Sequence, residues 1–373
     1  MPNWLLRLLA PEWSGSVVGL ILVGIGLLGS GAWLMLAACG TLIVTGNIVH
    51  LVRFAASRRR CPAPGKLVDV GCTRVHVLAE GAATDHLPIV MFGGGHAPGA
   101  AMAHLHRTLR ELTRSILIDR PGTGWSDTGP FPRSTAREAQ EMIAALDRAG
   151  ETGPFVLVGY SFGGLLAANI ARRYPEKVVR LVLLDATPLE TVLLGPRLGS
   201  LRAMRLRTLA SAAWRAVGRH ADLDEKASEA NPAHAEGRRA FVEALGGDLD
   251  AMRSIEIGVG AQLANYSIYR ELDPDQIPRI AWETVVYDGD LGDMELWLVA
   301  PGDAGEVTAE REVGSAADGD AARMINFYAR SRERYLAASS RSRRVVAPPG
   351  STHQFVYTHA DFVIGTLSEA VRR

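Results

Sequence analysis

The pentapeptide Gly159-Tyr160-Ser161-Phe162-Gly163 constrains this chain more than any other stretch. It follows a short apolar run, Pro154-Phe155-Val156-Leu157-Val158, and opens onto the helix-forming Gly164-Leu165-Leu166-Ala167-Ala168-Asn169-Ile170. A strand must therefore turn at once into a helix with a serine at the tip. So sharp a turn strains the serine backbone, and the residues two before and two after it must be almost free of side chain to let strand and helix approach. The helix that begins behind the serine aims backbone N–H groups and its positive dipole end at any developing oxyanion. Ser161 is thus a candidate nucleophile.

Strands and helices alternate on both sides of this turn. Lys66–Val70 and Thr73–Ala79 predict a β-hairpin around Gly71, and Pro88–Phe92 and Ser115–Asp119 are continuous apolar runs of the kind buried on both faces. Thr135 with Glu138 predicts a capping-box start for a helix to about Arg148, and Val178–Leu184 predicts the next strand. The rhythm lapses from about Leu189 to Asp290, where helical stretches predict a lid inserted between two core strands. It resumes with Met294–Ala300, a helical stretch around Ala321–Ala338, and Arg343–Ala347. Thr358-x-x-Asp361 predicts the cap of a last helix. This order implies a mostly parallel sheet covered on both faces, with ligands bound beyond the carboxyl ends of its strands.

Ahead of this lies an unusual stretch. From Trp13 to Val52 there is no charged residue, more than the roughly 20 positions one membrane-spanning helix needs. The Gly29-Ser30-Gly31 break suggests a tight helical hairpin, and one long tilted helix is the alternative. Arg53, Arg58, Arg59 and Arg60 follow the run, and positive flanks stay cytoplasmic, which places the remaining chain on that side of the cell membrane. The chain divides into an anchor (1–60), a first core part (61–188), the lid (189–290) and a second core part (291–373). Every candidate site residue lies beyond residue 90, so the anchor reads as detachable.

Lys and Arg together number 40 and so do Asp and Glu, so nothing in the charge asks for nucleic acid or a polyanionic substrate. Cys39, Cys61 and Cys72 have no metal-ligand spacing. No metal and no cofactor is expected, and a Cys61–Cys72 disulfide is weighed against the reduced thiols that the reading favours.

A serine hydroxyl needs a base, itself oriented by a third group. His353, in Gly350-Ser351-Thr352-His353-Gln354-Phe355 between the last strand and last helix, is the first candidate, ahead of His359. The acid should lie between serine and histidine in chain order. Asp303, after Pro301-Gly302, comes first, Asp185 at the end of the preceding strand second, and Glu306 third. Gly93-Gly94-Gly95-His96 follows a strand, and the backbone N–H of Gly94 with that of Phe162 would form an oxyanion hole. His96 and Tyr160 are candidate substrate contacts.

Together these residues resemble the α/β-hydrolase superfamily. Asp119-Arg-Pro-Gly-Thr-Gly-Trp-Ser-Asp127 is similar to a loop common in its ester hydrolases, and Gly153–Ser161 to their elbow-strand segment. The resemblance covers about residues 66–188 and 294–372, and is closest to bacterial members with an N-terminal membrane segment. It departs at Phe92, where such chains usually carry His-Gly, and at Ala300-Pro-Gly-Asp303 in place of G-x-x-D. It implies an α/β-hydrolase fold with an eight-stranded sheet, a helical lid and N-terminal transmembrane helices. It also implies a membrane-anchored serine hydrolase acting on small-molecule or lipid esters. Alternatives are an amidase or peptidase, a cofactor-free peroxidase of the same fold, or a non-catalytic membrane protein. A serine at the elbow disfavours the carboxylate-nucleophile chemistry of dehalogenases and epoxide hydrolases.

Overall fold

The computed structural model describes all residues except 96, 189–196, 220–234, 256–257, 274, 276–283, 303–326 and 328–329. Eight strands form one sheet: β1 (Lys66–Asp69), β2 (Arg74–Glu80), β3 (Ile89–Phe92), β4 (Ser115–Ile118), β5 (Phe155–Tyr160), β6 (Val178–Leu184), β7 (Glu295–Ala300) and β8 (Ser342–Val346). Their order is β1-β2-β4-β3-β5-β6-β7-β8. β1 pairs antiparallel with β2 and β2 with β4; every other pairing is parallel.

Alternation along the central strands explains their continuous apolar runs. Val90, Phe92 and Leu157 point to one face and pack with Met142 of α5 (Thr135–Ala149) and Leu166 of α6 (Phe162–Arg173). Ile89, Met91, Val156 and Val158 point to the other face, against Leu105 of α4 (Ala103–Leu109) and Val363 and Leu367 of α12 (Ala360–Ala370). With helices on both sides, no face of β3 or β5 is left for polar residues, whereas the edge strands β1 and β8 expose Lys66, Asp69, Arg343 and Arg344.

Two predicted caps differ. The N-cap of α5 is Ser134, whose hydroxyl accepts from the Arg137 N–H; Thr135 is the first helical residue and bonds Glu271 instead. The N-cap of α12 is His359 with no side-chain cap bond; the Thr358 hydroxyl meets His359 Nδ1 and the Gln354 carbonyl instead.

Between β6 and β7 the described residues form α7 (Arg197–Ala216), α8 (Ala235–Leu245), α9 (Gly247–Ile255) and α10 (Val259–Glu271). The short α11 (Phe355–Thr358) precedes α12.

At the N-terminus α1 (Asn3–Leu9) is followed by α2 (Ser14–Leu27) and α3 (Ala32–Arg60), so the uncharged run is two helices rather than one. They meet along glycines: a Cβ on Gly19 would lie 2.7 Å from the Gly40 carbonyl oxygen, and one on Gly26 2.4 Å from the Ala37 nitrogen. By length and composition α3 could cross a membrane.

The base of this hairpin does not stand apart from the rest of the molecule. Asn47 accepts from the Ser16 N–H at 3.0 Å and hydroxyl at 2.7 Å, and donates to the Glu12 carbonyl at 2.9 Å. The Glu12 carboxylate meets His50 Nε2 at 2.6 Å and accepts from the Val259 and Gly260 N–H groups, where α10 begins. Leu6 is fully buried with Phe131, Val259, Leu263 and Tyr266. Residues 1–60 are therefore not a detachable anchor: removing them would strip the cap from α10 and expose that apolar cluster. Cys39, Cys61 and Cys72 are free thiols.

Candidate active site

The elbow forms as its spacing requires. Ser161 has φ 53° and ψ −119°, a conformation costing a non-glycine residue on the order of 1–3 kcal/mol. A Cβ on Gly159 would lie 2.4 Å from the Gly163 carbonyl oxygen, and one on Gly163 2.4 Å from that of Gly93. Only glycine fits at either place, which is why the serine is flanked as it is.

Ser161, at the carboxyl end of β5, meets two side chains from elsewhere in the sequence. His353 Nε2 is 3.1 Å from Ser161 Oγ, and His353 Nδ1 is 2.6 Å from Asp185 Oδ2. The carboxylate accepts the Nδ1 proton, which leaves Nε2 free to accept the serine hydroxyl. Asp185 follows β6 directly. Its φ of 43° bends the chain there, while its N–H still bonds the Val299 carbonyl at 2.8 Å. Its side chain is 3% exposed and that of His353 30%, so the acid is sealed in while the base opens on a cleft.

Among the described residues the acid beside His353 is Asp185, the second candidate. Asp303 and Glu306 lie outside the described residues; Asp185 occupies the position beside His353 Nδ1 that Asp303 was expected to take. An imidazole presents one Nδ1–H, and here that proton is already committed. Asp185 also meets Arg332 Nε through its second oxygen at 2.5 Å. Nothing in the sequence marks Arg332, because its approach to Asp185 is a tertiary event.

Gly94 is placed as expected beside the serine: a Cβ there would lie 3.1 Å from Ser161 Cβ and 2.8 Å from the Tyr160 ring. Its carbonyl accepts from the Ala97 N–H, and the Gly95 carbonyl accepts from Arg120 at 3.0 Å. Arg120 also lies over the Phe162 ring and pairs with buried Glu138, so one guanidinium braces the glycine turn and the first residue of α6. Arg120 falls inside the Asp119–Asp127 motif, the one sequence signal that pointed to it. His96 lies outside the described residues.

Besides lining the cleft, where a substrate contact was expected, Tyr160 touches the base. Its hydroxyl donates to the His353 carbonyl at 2.9 Å and its ring stacks on the imidazole, 5.0 Å between centroids. It holds the base in place, although its edge also lines the cleft. That cleft, about 270 Å³, is walled by Ser161, His353, Gln354 and Tyr357 and by Phe241 and Arg238 of α8. A larger cavity of about 730 Å³ lies between α1, α3 and the 122–131 loop. The hydroxyl of Ser126 in its wall already bonds the Asp119 carbonyl. Among the described residues no group of three or more His, Cys, Asp or Glu side chains could hold a metal ion.

The family model described as alpha/beta hydrolase fold matches residues 88–221. A sequence relative, the uncharacterized protein YbdG of Bacillus subtilis, is 26% identical over 146 residues, 39% of this chain and 45% of that protein. The (lyso)-N-acylphosphatidylethanolamine lipase of Mus musculus is 32% identical over 108 residues, 27% of this chain and 30% of that one. The chain thus spans less than half the length of these curated relatives. The solved structure of a probable hydrolytic enzyme from Pseudomonas aeruginosa superposes with a TM-score of 0.57 at 20% identity, covering 79% of this chain and 89% of that one.

Proposed function

Because this chain belongs to the α/β-hydrolase superfamily, we propose that it is a membrane-associated serine hydrolase that cleaves carboxylic esters through an acyl-enzyme. The observation that carries the proposal is the line from Asp185 through His353 to Ser161, 2.6 Å and 3.1 Å long, ending in an open cleft. In this reading the Ser161 hydroxyl gives its proton to His353 Nε2 as Oγ attacks the ester carbonyl. Asp185 stabilises the imidazolium that results, and Arg332 and the strained turn hold Asp185 in register. The negative charge on the former carbonyl oxygen is met by the N–H groups of Gly94 and Phe162 at the start of α6. His353 returns the proton to the departing alcohol, then activates water to release the acid.

The lid is α7 to α10, with α8 forming one wall of the cleft. A cleft of about 270 Å³ is small beside the roughly 300–1,000 Å³ common for ligand sites, so short acyl groups fit without movement of α8. The apolar N-terminal hairpin suits a protein that meets lipid-soluble esters. The related lipase of Mus musculus supports an ester of that kind.

A panel of p-nitrophenyl esters of rising chain length, with fluorophosphonate labelling of the wild type and Ser161→Ala, tests the proposal. Hydrolysis that is fastest for short chains and labelling that vanishes in Ser161→Ala are expected. Labelling that persists in Ser161→Ala would remove Ser161 as the nucleophile; inert esters beside cleaved amides would shift the reaction to an amidase.

A further inference from the structure

At about 1.5 Å per residue, the 14 residues of α2 make a helix only about 21 Å long. α3 is longer, but its second half lies against the protein on one side, with Ile48, Val49 and Val52 exposed on the other. A Cβ on Gly46 would lie 2.1 Å from the Val217 carbonyl oxygen, and a Cβ on Gly15 the same distance from that of Ala216. The end of α7 therefore runs against the feet of both helices. Beyond that line Asn47 and His50 are fully buried and Arg58 donates to the Trp125 carbonyl. The part of the hairpin in which both helices stand clear of the protein is thus about 21 Å tall, against a hydrocarbon core of about 30 Å.

Its surface fits lipid tails. Val18, Leu20, Ile21, Ile25, Leu34, Met35 and Leu42 are exposed, and Leu28 beside the tip is 88% exposed. Glycines fill the seam between the helices, the packing that lets helices associate where no hydrophobic force drives them together. The Gly29-Ser30-Gly31 tip carries no charge.

The base has the marks of an interface. Trp13 caps α2, and Trp214 precedes Ala216 by two residues; both are exposed. α1 meets α2 at 93°, so when α2 stands along the membrane normal α1 lies in the membrane plane. Leu6 of α1 faces the protein while Trp4 and Leu8 are exposed. Exposed Arg53, Arg59 and Arg60 follow on α3, on the aqueous side of that line.

We propose that the hairpin dips into one leaflet and returns without crossing, with α1 flat among the headgroups, so the protein is monotopic. This rests on the membrane association proposed above and replaces the expected transmembrane spans with a shallower insertion.

The full-length chain in sealed vesicles tests it, with carbonate washing followed by an impermeant maleimide applied to each side in turn. The variant is Ser30→Cys in a Cys39→Ala background, and native Cys72, exposed on the β1–β2 turn, reports which side carries the sheet. The washed membranes should retain the protein, with Cys72 labelled from one side and the cysteine at position 30 from neither until detergent is added. Labelling of position 30 from the side opposite Cys72 would overturn the proposal in favour of a spanning hairpin, leaving membrane association intact. Recovery in the supernatant, as a monomer or as an oligomer joined through the hairpin, would overturn both. Leu28→Cys repeats the measurement if the Ser30 variant fails to fold.

Discussion

Two histidines of this protein present the same tautomer to opposite ends. His353 donates Nδ1–H to Asp185, and His76 donates Nδ1–H to Asp119 at 2.9 Å. They differ at the other nitrogen. His76 Nε2 accepts the Gly65 backbone N–H at 3.1 Å, and the ring is buried on β2. His353 Nε2 faces the Ser161 hydroxyl at the edge of a cleft. The lone pair of His76 is occupied by a donor that has no proton to yield, so the pair can only hold structure. Asp119 confirms that role, since it also accepts from the Gly99 and Trp125 N–H groups and pins the loop that follows β4. A histidine with a carboxylate behind it becomes a candidate base only through what its second nitrogen meets.

The largest expected effect separates the two pairs by activity. Ser161→Ala and His353→Ala should each lower kcat for a short ester by about 10⁴–10⁶, with the double variant scarcely worse, because the pair acts as a unit. His76→Ala should leave kcat per folded molecule near wild type. A His76 variant that stays fully folded yet loses activity would break the comparison.

Asp185→Asn should follow with a loss of about 10⁴ in kcat, the cost of leaving the imidazole in the wrong tautomer. Arg332→Gln should cost roughly tenfold, as expected for a charge-assisted contact that only orients the acid. A crippled Asp303→Asn beside an active Asp185→Asn would return the acid's role to Asp303.

Asp119→Asn is expected to act on stability, by about 3–5 kcal/mol in urea unfolding, since it disrupts a buried, multiply bonded carboxylate. Its surviving folded fraction should retain wild-type kinetics.

The last effect concerns the joint between α10 and α5. Burial, aided by the charge of Glu138 and opposed by the Thr135 N–H, raises the Glu271 carboxyl from 4.5 to about 8. The folded protein therefore keeps a proton that the unfolded chain releases between those values. This contribution to stability is complete below about pH 4.5 and is lost as pH rises to about 8 and beyond. Glu271→Gln should flatten the fall of Tm across that window. An unchanged slope would show that Glu271 is ionised in the folded state.

Much of the site was legible because its parts are local. The elbow needs two glycines at fixed spacing, and the His353 loop follows the last strand, so both can be read without tertiary knowledge. The acid could not be read so directly. Asp185 and Asp303 each follow a strand that ends on the same side of the sheet, and spacing alone does not tell which carboxylate turns inward. The left-handed bend at Asp185 and the Arg332 contact decide it. Part of the role of Tyr160 was illegible for a related reason: its place beside the nucleophile pointed to the cleft it lines, but not to the bond its hydroxyl makes with the His353 backbone.

What the sequence alone determined is the chain's periodicity and chemistry: alternating strands and helices, a serine on a glycine-flanked turn, a histidine past the last strand, and an apolar stretch without charge. These follow from local sterics and patterned hydrophobicity, which act over a few residues. Only the tertiary structure decided which carboxylate serves the histidine, that Arg120 and Tyr160 brace the site, and that Glu12, Asn47 and Leu6 bind the N-terminal helices to α10. Those outcomes depend on contacts between segments tens to hundreds of residues apart, where burial forces each polar group to find a partner that no local pattern names.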